Sequence, residues 1–120
     1  MKRKIFSVLL SLVAGVVFAT QLSPTVIVSP SAMIVEPGIS FDITAVYTNT
    51  ARFFVVMEEG GIRGDFEFLI DESTKNLPSE SMLIIRGTID QANTLRTYTC
   101  IVESEDGLQR AESRCICITR

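Results

Sequence analysis

Between residues 26 and 119 short apolar runs alternate with turn signals, and helical periodicity is slight. Val26-Ile27-Val28 breaks at Pro30, and Ala32 to Val35 stops at Glu36-Pro37-Gly38. Phe41, Ile43, Ala45 and Tyr47 then fall on one face of a strand, with polar Ser40, Asp42 and Thr44 on the other. Asn49 ends that strand. Phe53 to Met57 is a continuous β-prone run, closed by a loop from Glu59 to Gly64. Phe66, Phe68 and Ile70 alternate with Asp65 and Glu67, and Asp71 to Ser79 reads as a loop containing Pro78. Strand character resumes over Met82 to Ile85. Leu95 to Glu103 and Gln109 to Thr119 form a closing pair around Glu105-Asp106-Gly107, a hairpin signal. Only Asp90 to Leu95 suggests a short helical turn. About seven strands with turn signals at roughly eight- to twelve-residue spacing predict an all-β, antiparallel β-sandwich and not alternating strands and helices.

The first residues follow a different pattern. Lys2, Arg3 and Lys4 precede an uncharged run from Ile5 to Ala19, which closes on Val17-Phe18-Ala19 before polar Thr20-Gln21. This predicts a cleavable signal peptide over 1–19, a polar linker over 20–25 and one domain over 26–120. The apolar run is shorter than the roughly twenty residues that a membrane-crossing helix needs, and no second run follows. The expected location is extracellular, with no membrane insertion after cleavage.

Cleavage also changes the charge. The chain carries 11 basic and 14 acidic residues, and loss of Lys2, Arg3 and Lys4 leaves 8 basic residues and a net charge of −6. Nucleic acid and anionic membrane reward clustered Lys and Arg, so both are poor partners for this chain. Histidine is absent. That removes Ser-His and Cys-His nucleophile pairs and His-ligated zinc from a single chain. An acid-base site would have to use carboxylates such as Glu58, Glu59, Asp71 and Glu72, which fall in loop-like, solvated stretches. The expectation is a non-enzymatic protein that needs no cofactor.

Two local patterns narrow the sandwich further. Tyr98-Thr99-Cys100-Ile101-Val102, preceded by Ser81-Met82-Leu83-Ile84-Ile85, resembles the E-to-F region of immunoglobulin-like domains, where Tyr-x-Cys carries the tyrosine corner and the inter-sheet cysteine. Glu36-Pro37-Gly38-Ile39-Ser40-Phe41-Asp42-Ile43-Thr44-Ala45 is similar to the passage into strand B of that family. The resemblance spans residues 24 to 119. It departs from the family at Ala45, which stands at the B-strand cysteine position, so the family's cross-sheet disulfide cannot form. No tryptophan is available for strand C, where Phe53 or Phe54 fills the space. The resemblance implies that Ala45 faces Cys100 across the core. Phe41, Ile43, Val55, Ile85, Tyr98 and Val102 are then buried with them.

Three cysteines, Cys100, Cys115 and Cys117, make an odd count for an oxidising compartment. A turn on Asp106-Gly107 sets Glu105 opposite Leu108 and Cys100 opposite Ser113, with Cys115 as the diagonal neighbour of Cys100. A small bulge within Arg110 to Arg114 would bring the two Cα atoms within the ~7 Å that a disulfide needs. Cys100–Cys115 is the expected bridge and Cys100–Cys117 the alternative. The leftover thiol is either an intermolecular link or a buried free cysteine, with Cys117 the expected remainder. Three sulfurs at this spacing make a poor zinc site, and no metal is expected.

The sharpest functional feature is Arg63-Gly64-Asp65, flanked by Gly60 and Gly61, which mark a turn between two strands. It resembles the tripeptide by which extracellular ligands bind integrins, and that role requires both charges to project from an exposed loop tip. The leading expectation is a secreted, non-catalytic immunoglobulin-like module that binds an extracellular protein through its loops and one sheet face. An integrin ligand or antagonist acting through Arg63, Gly64 and Asp65 is the alternative. Sandwich edges also favour pairing between copies, so a homo-oligomer fits the same class.

Overall fold

A computed structural model describes residues 23–71, 73, 75 and 77–120. The signal peptide expected over 1–19 and the first part of the linker lie outside the described residues, as does Glu72. The described chain forms eight strands: β1 (Thr25–Ser29), β2 (Ala32–Val35), β3 (Ser40–Thr48), β4 (Arg52–Glu59), β5 (Ile62–Phe68), β6 (Ser81–Thr88), β7 (Leu95–Glu103) and β8 (Arg110–Thr119). They build two sheets, one of three strands in the order β1-β3-β6 and one of five in the order β2-β8-β7-β4-β5. The protein is all-β, as the alternation predicts, and the two sheets share a single core.

One expectation of the pairing needs correction. Every neighbouring pair is antiparallel except β2 on β8, which runs parallel with Ala32 opposite Ile116 and Val35 opposite Thr119. The reason lies at Ser29-Pro30, where a proline without an amide donor interrupts the first extended run. The residues before it pair with β3, and those after it cross to the other sheet and run alongside β8.

Alternation within the strands sets the core. Ile43 and Ala45 of β3, Phe53 of β4, Cys100 and Val102 of β7, and Cys115 and Cys117 of β8 are fully buried between the sheets. Val55, Ile85 and Tyr98 join them, while Phe41 is half-buried and packs edge-on against Tyr98 at 6.2 Å. Phe53, and not Phe54, takes the central aromatic position. Its ring lies edge-on to Tyr47 at 5.2 Å and to Phe68 at 6.1 Å, tying β4 to both sheets and to β5. Aromatic pairs of this geometry add about 0.5–1.5 kcal/mol each beyond simple burial.

The turns account for the register. Gly60 and Gly61 both have positive φ, 56° and 82°, so the β4–β5 hairpin closes on two residues in the mirror-image conformation that matches strand twist. The β7–β8 hairpin closes through Asp106, whose carboxylate accepts from Ser104 Oγ at 2.6 Å and from the Leu108 amide at 3.0 Å, with Gly107 at φ 75°. The helical turn expected over Asp90 to Leu95 is a series of bends instead. Asn93 adopts a left-handed conformation there, and Thr119 Oγ1 donates to the Gln91 carbonyl at 2.7 Å, satisfying backbone that a helix would have used internally.

Candidate functional site

The outward positions of the five-stranded sheet form a graded surface. Cross-strand register arranges them in rows. Arg63, Glu58 and Thr97 lie abreast, as do Asp65, Val56, Thr99 and Arg114, and then Glu67, Phe54, Ile101 and Glu112. The middle of this face is a hollow of about 320 Å³ lined by Val56, Glu58, Arg63, Thr97, Thr99, Ile101, Arg110, Glu112 and Arg114. Its floor is apolar at Val56 and Ile101, which are only 5% and 8% exposed although they point away from the core. Long charged side chains around them supply that cover, laying their stems over apolar surface and keeping their heads in water.

The charges on the rim are partly engaged with one another. Arg110 and Glu112, two apart on one strand face, approach to 3.7 Å, and Arg52 and Glu103 approach to 3.9 Å across the β4–β7 pair. Arg63 Nε donates to Asp65 Oδ1 at 2.9 Å. That hydrogen bond and the Asp65 charge hold the Arg63 guanidinium above its ordinary pKa, with Glu58 on the neighbouring strand adding to the effect. Arg114, opposite Thr99, makes no ion pair with any described residue. The face therefore offers a desolvated apolar floor, two threonine hydroxyls and one uncommitted guanidinium. Those are groups for recognising a mixed polar and apolar surface.

Arg63-Gly64-Asp65 is not at a loop tip. Strand β4 continues to Glu59 and β5 begins at Ile62, so the tip consists of Gly60 and Gly61, and the tripeptide lies inside a paired strand. The loop read over Glu59 to Gly64 contracts because two consecutive left-handed glycines need no further residues to reverse the chain. Alternation then puts both charged side chains on the same outward face, where they bond to each other.

Among the described carboxylates considered for acid-base work, Glu58 and Glu59 do not converge. Glu58 and Glu59 are adjacent on β4 and so point to opposite sides of the sheet, Glu58 outward and Glu59 toward Arg96. Asp71 accepts from the backbone and then the hydroxyl of Ser73, which hold it below the usual carboxylate pKa and favour the charged form. Among the described residues no group of three or more His, Cys, Asp or Glu side chains is placed to hold a metal ion.

The cysteines sit where the hairpin register puts them, with Cys100 opposite Ser113 and Cys115 opposite Tyr98. All three are buried free thiols, and neither Cys100–Cys115 nor Cys100–Cys117 is bridged. The bulge that would have drawn Cys115 toward Cys100 is absent, because the β7–β8 ladder runs without interruption from Glu103–Arg110 to Leu95–Ile118. Diagonal neighbours in such a regular ladder stay about 7–8 Å apart. Cys115 Sγ and Cys117 Sγ are 3.8 Å apart, well beyond an S–S bond of about 2.05 Å. Burial pushes the Cys100 and Cys117 thiols up to about 12, which keeps them protonated and unreactive.

Arg96 escaped the reading of the sequence. It points inward from β7, donating to Glu59 Oε1 at 2.8 Å, to the Thr88 carbonyl at 3.1 Å and to the Tyr98 hydroxyl at 2.9 Å. The signal was its parity: a charged residue two positions before Tyr98 must share the inward face. No protein-family model matches the chain, and no curated protein matches it either.

Proposed function

We propose that the chain is a secreted, non-catalytic immunoglobulin-like module that recognises another extracellular protein through the outer face of its five-stranded sheet. The strand order supports the fold assignment. The three-stranded sheet corresponds to strands A, B and E of the family, and β8-β7-β4-β5 to G, F, C and the extra C′ strand of variable-type domains. Tyr98-x-Cys100 falls on the F-equivalent strand, and Ala45, opposite in the core, on the B-equivalent strand. The apolar floor of Val56 and Ile101, with Arg114 lining the same hollow, is the observation that carries the recognition reading. Interfaces draw their energy from such desolvated centres inside a polar rim. The tripeptide's position within a paired strand lends no support to integrin binding.

A photo-crosslinking residue at Thr99, on the floor, should capture the partner in the natural extracellular fluid, and the same probe at Thr44, on the other sheet, should not. Arg114→Glu should abolish the Thr99 adduct. Adducts at Thr44 alone would move the binding surface to the wrong sheet. The secretion reading is tested separately by mass spectrometry of the exported protein, which should begin at Thr20. A membrane-bound form retaining Met1 would contradict it.

A further inference from the structure

The free edge of β5 carries a self-complementary pattern. Among the described residues nothing pairs with β5 on the side away from β4. Its pairing with β4 is regular over all seven residues, from Phe68 opposite Phe53 to Ile62 opposite Glu59. Proteins blunt exposed edges with charged side chains, proline, a bulge or a very short strand; β5 has no lysine, proline or bulge, and its charges, Arg63, Asp65 and Glu67, all lie on its outward side. Its inner-side residues Ile62 and Phe66 remain 76% and 52% exposed. The Phe66 ring leans over Gly64, close enough that a Cβ there would lie 3.7 Å from it.

We propose that two copies of this chain pair edge to edge through β5, antiparallel about Gly64, and merge their five-stranded sheets into one. In that register Arg63 of each copy stands opposite Asp65 of its partner, so both outward cross-strand pairs join opposite charges. On the other side Ile62 stands opposite the partner's Phe66, and the two glycines meet at the axis, where the flanking Phe66 rings cover them. The neighbouring registers are less complementary. Centring on Arg63 sets the two arginines against each other, centring on Asp65 sets the two aspartates against each other at the axis while Arg63 faces the partner's Glu67, and a slip of one residue turns the apolar side of one strand toward the charged side of the other. The two Arg63–Asp65 bonds within the separate strands exchange for two between them, so neither charge is stranded. The pairing leaves outward residues outward, and the two outer-face hollows then lie on one continuous surface. The association is independent of what those hollows bind.

Sedimentation velocity over a concentration series, on the chain as cells release it, tests the pairing. The unaltered chain should associate reversibly to a dimer. Asp65→Arg and Arg63→Asp should each raise the dissociation constant about ten- to a hundredfold, because each turns both cross-strand pairs repulsive. An equimolar mixture of these two variants should form a heterodimer, since one copy then presents arginine at both positions and the other aspartate at both. The double variant R63D/D65R should dimerise like the original. An unaltered chain that stays monomeric, a dimer indifferent to Asp65→Arg, or a variant mixture that stays monomeric would each overturn the proposal.

Discussion

The two ends of the five-stranded sheet are built in opposite ways. At the β2 end the edge strand has four residues, starts just after Pro30 and stops at Glu36-Pro37-Gly38. Beneath it the inner face of β8 is sealed by Cys115 and Cys117, with Met33 packed over the core. At the β5 end the strand is seven residues long, regular, and overhangs the three-stranded sheet with Ile62 and Phe66 half or more exposed. The difference teaches that sheet edges are handled individually. One is shortened and covered; the other is kept long and carries its charges, Arg63, Asp65 and Glu67, on the outward side alone.

The change with the largest expected effect strikes the shared core and the β5 end together. Phe53, the second residue of β4, is fully buried in the core, and its ring contacts hold Phe68 of β5 and Tyr47 of the opposite sheet. Phe53→Ala should cost about 3–5 kcal/mol in chemical denaturation, with β5 loosened along with the core. A loss below about 1 kcal/mol would mean that the centre repacks and that β5 is anchored elsewhere.

Arg96→Met separates the ends more sharply. Arg96 reaches Glu59, the last residue before the Gly60-Gly61 turn, and so fixes the approach into β5. Its removal leaves Glu59, the Thr88 carbonyl and the Tyr98 hydroxyl short of a donor, and should cost about 2–3 kcal/mol. Amide exchange should quicken in β5 and stay unchanged in β2. Equal acceleration at both edges would contradict the assignment of Arg96 to the open end.

The sealed end has its own signature in alkali. The Cys100 and Cys117 thiols are raised from an ordinary 9.0 to about 12 in the folded protein, so between those values the unfolded chain releases protons that the folded chain retains. Stability is therefore full below pH about 9 and falls as pH rises toward about 12. Each thiol contributes a slope of up to about 1.4 kcal/mol per pH unit. Denaturation at pH 8 and pH 10 reads the effect, and replacing Cys100 and Cys117 with Ala should flatten it. All three thiols should resist alkylation until the protein unfolds. Recovery of a disulfide from the native protein would show that the sealed end is closed covalently instead.

The smallest effect concerns β5 alone. The Arg63–Asp65 bond joins side chains 61% and 60% exposed, so Asp65→Ala should leave the monomer's stability, measured at high dilution, essentially unchanged. A clear loss would mean that the pair holds the strand in place.

These contrasts were unequally legible in the sequence. Strand positions, the inward parity of Ile43, Ala45, Tyr98 and Cys100, and the Cys100–Ser113 register could be read because each depends on nearest-neighbour alternation or on one turn. The parallel β2 could not, since Pro30 shows a break but not which sheet receives the chain afterward. The tripeptide was misplaced because glycine marks a turn without stating its length: Gly60 and Gly61 form the tip, whereas Gly64 lies within the strand. The outer-face hollow was invisible for a related reason. Val56, Ile101 and Arg114 are distant in sequence and meet only through the pairing of three strands.

The most direct measurement is hydrogen exchange followed residue by residue across a series of protein concentrations. The account predicts that the amides of Arg63 and Asp65, which alternation directs to the free edge, gain protection as concentration rises, while those of Ala32 to Val35 do not change. Exchange in β5 that is independent of concentration, or protection that grows at β2 instead, would contradict it.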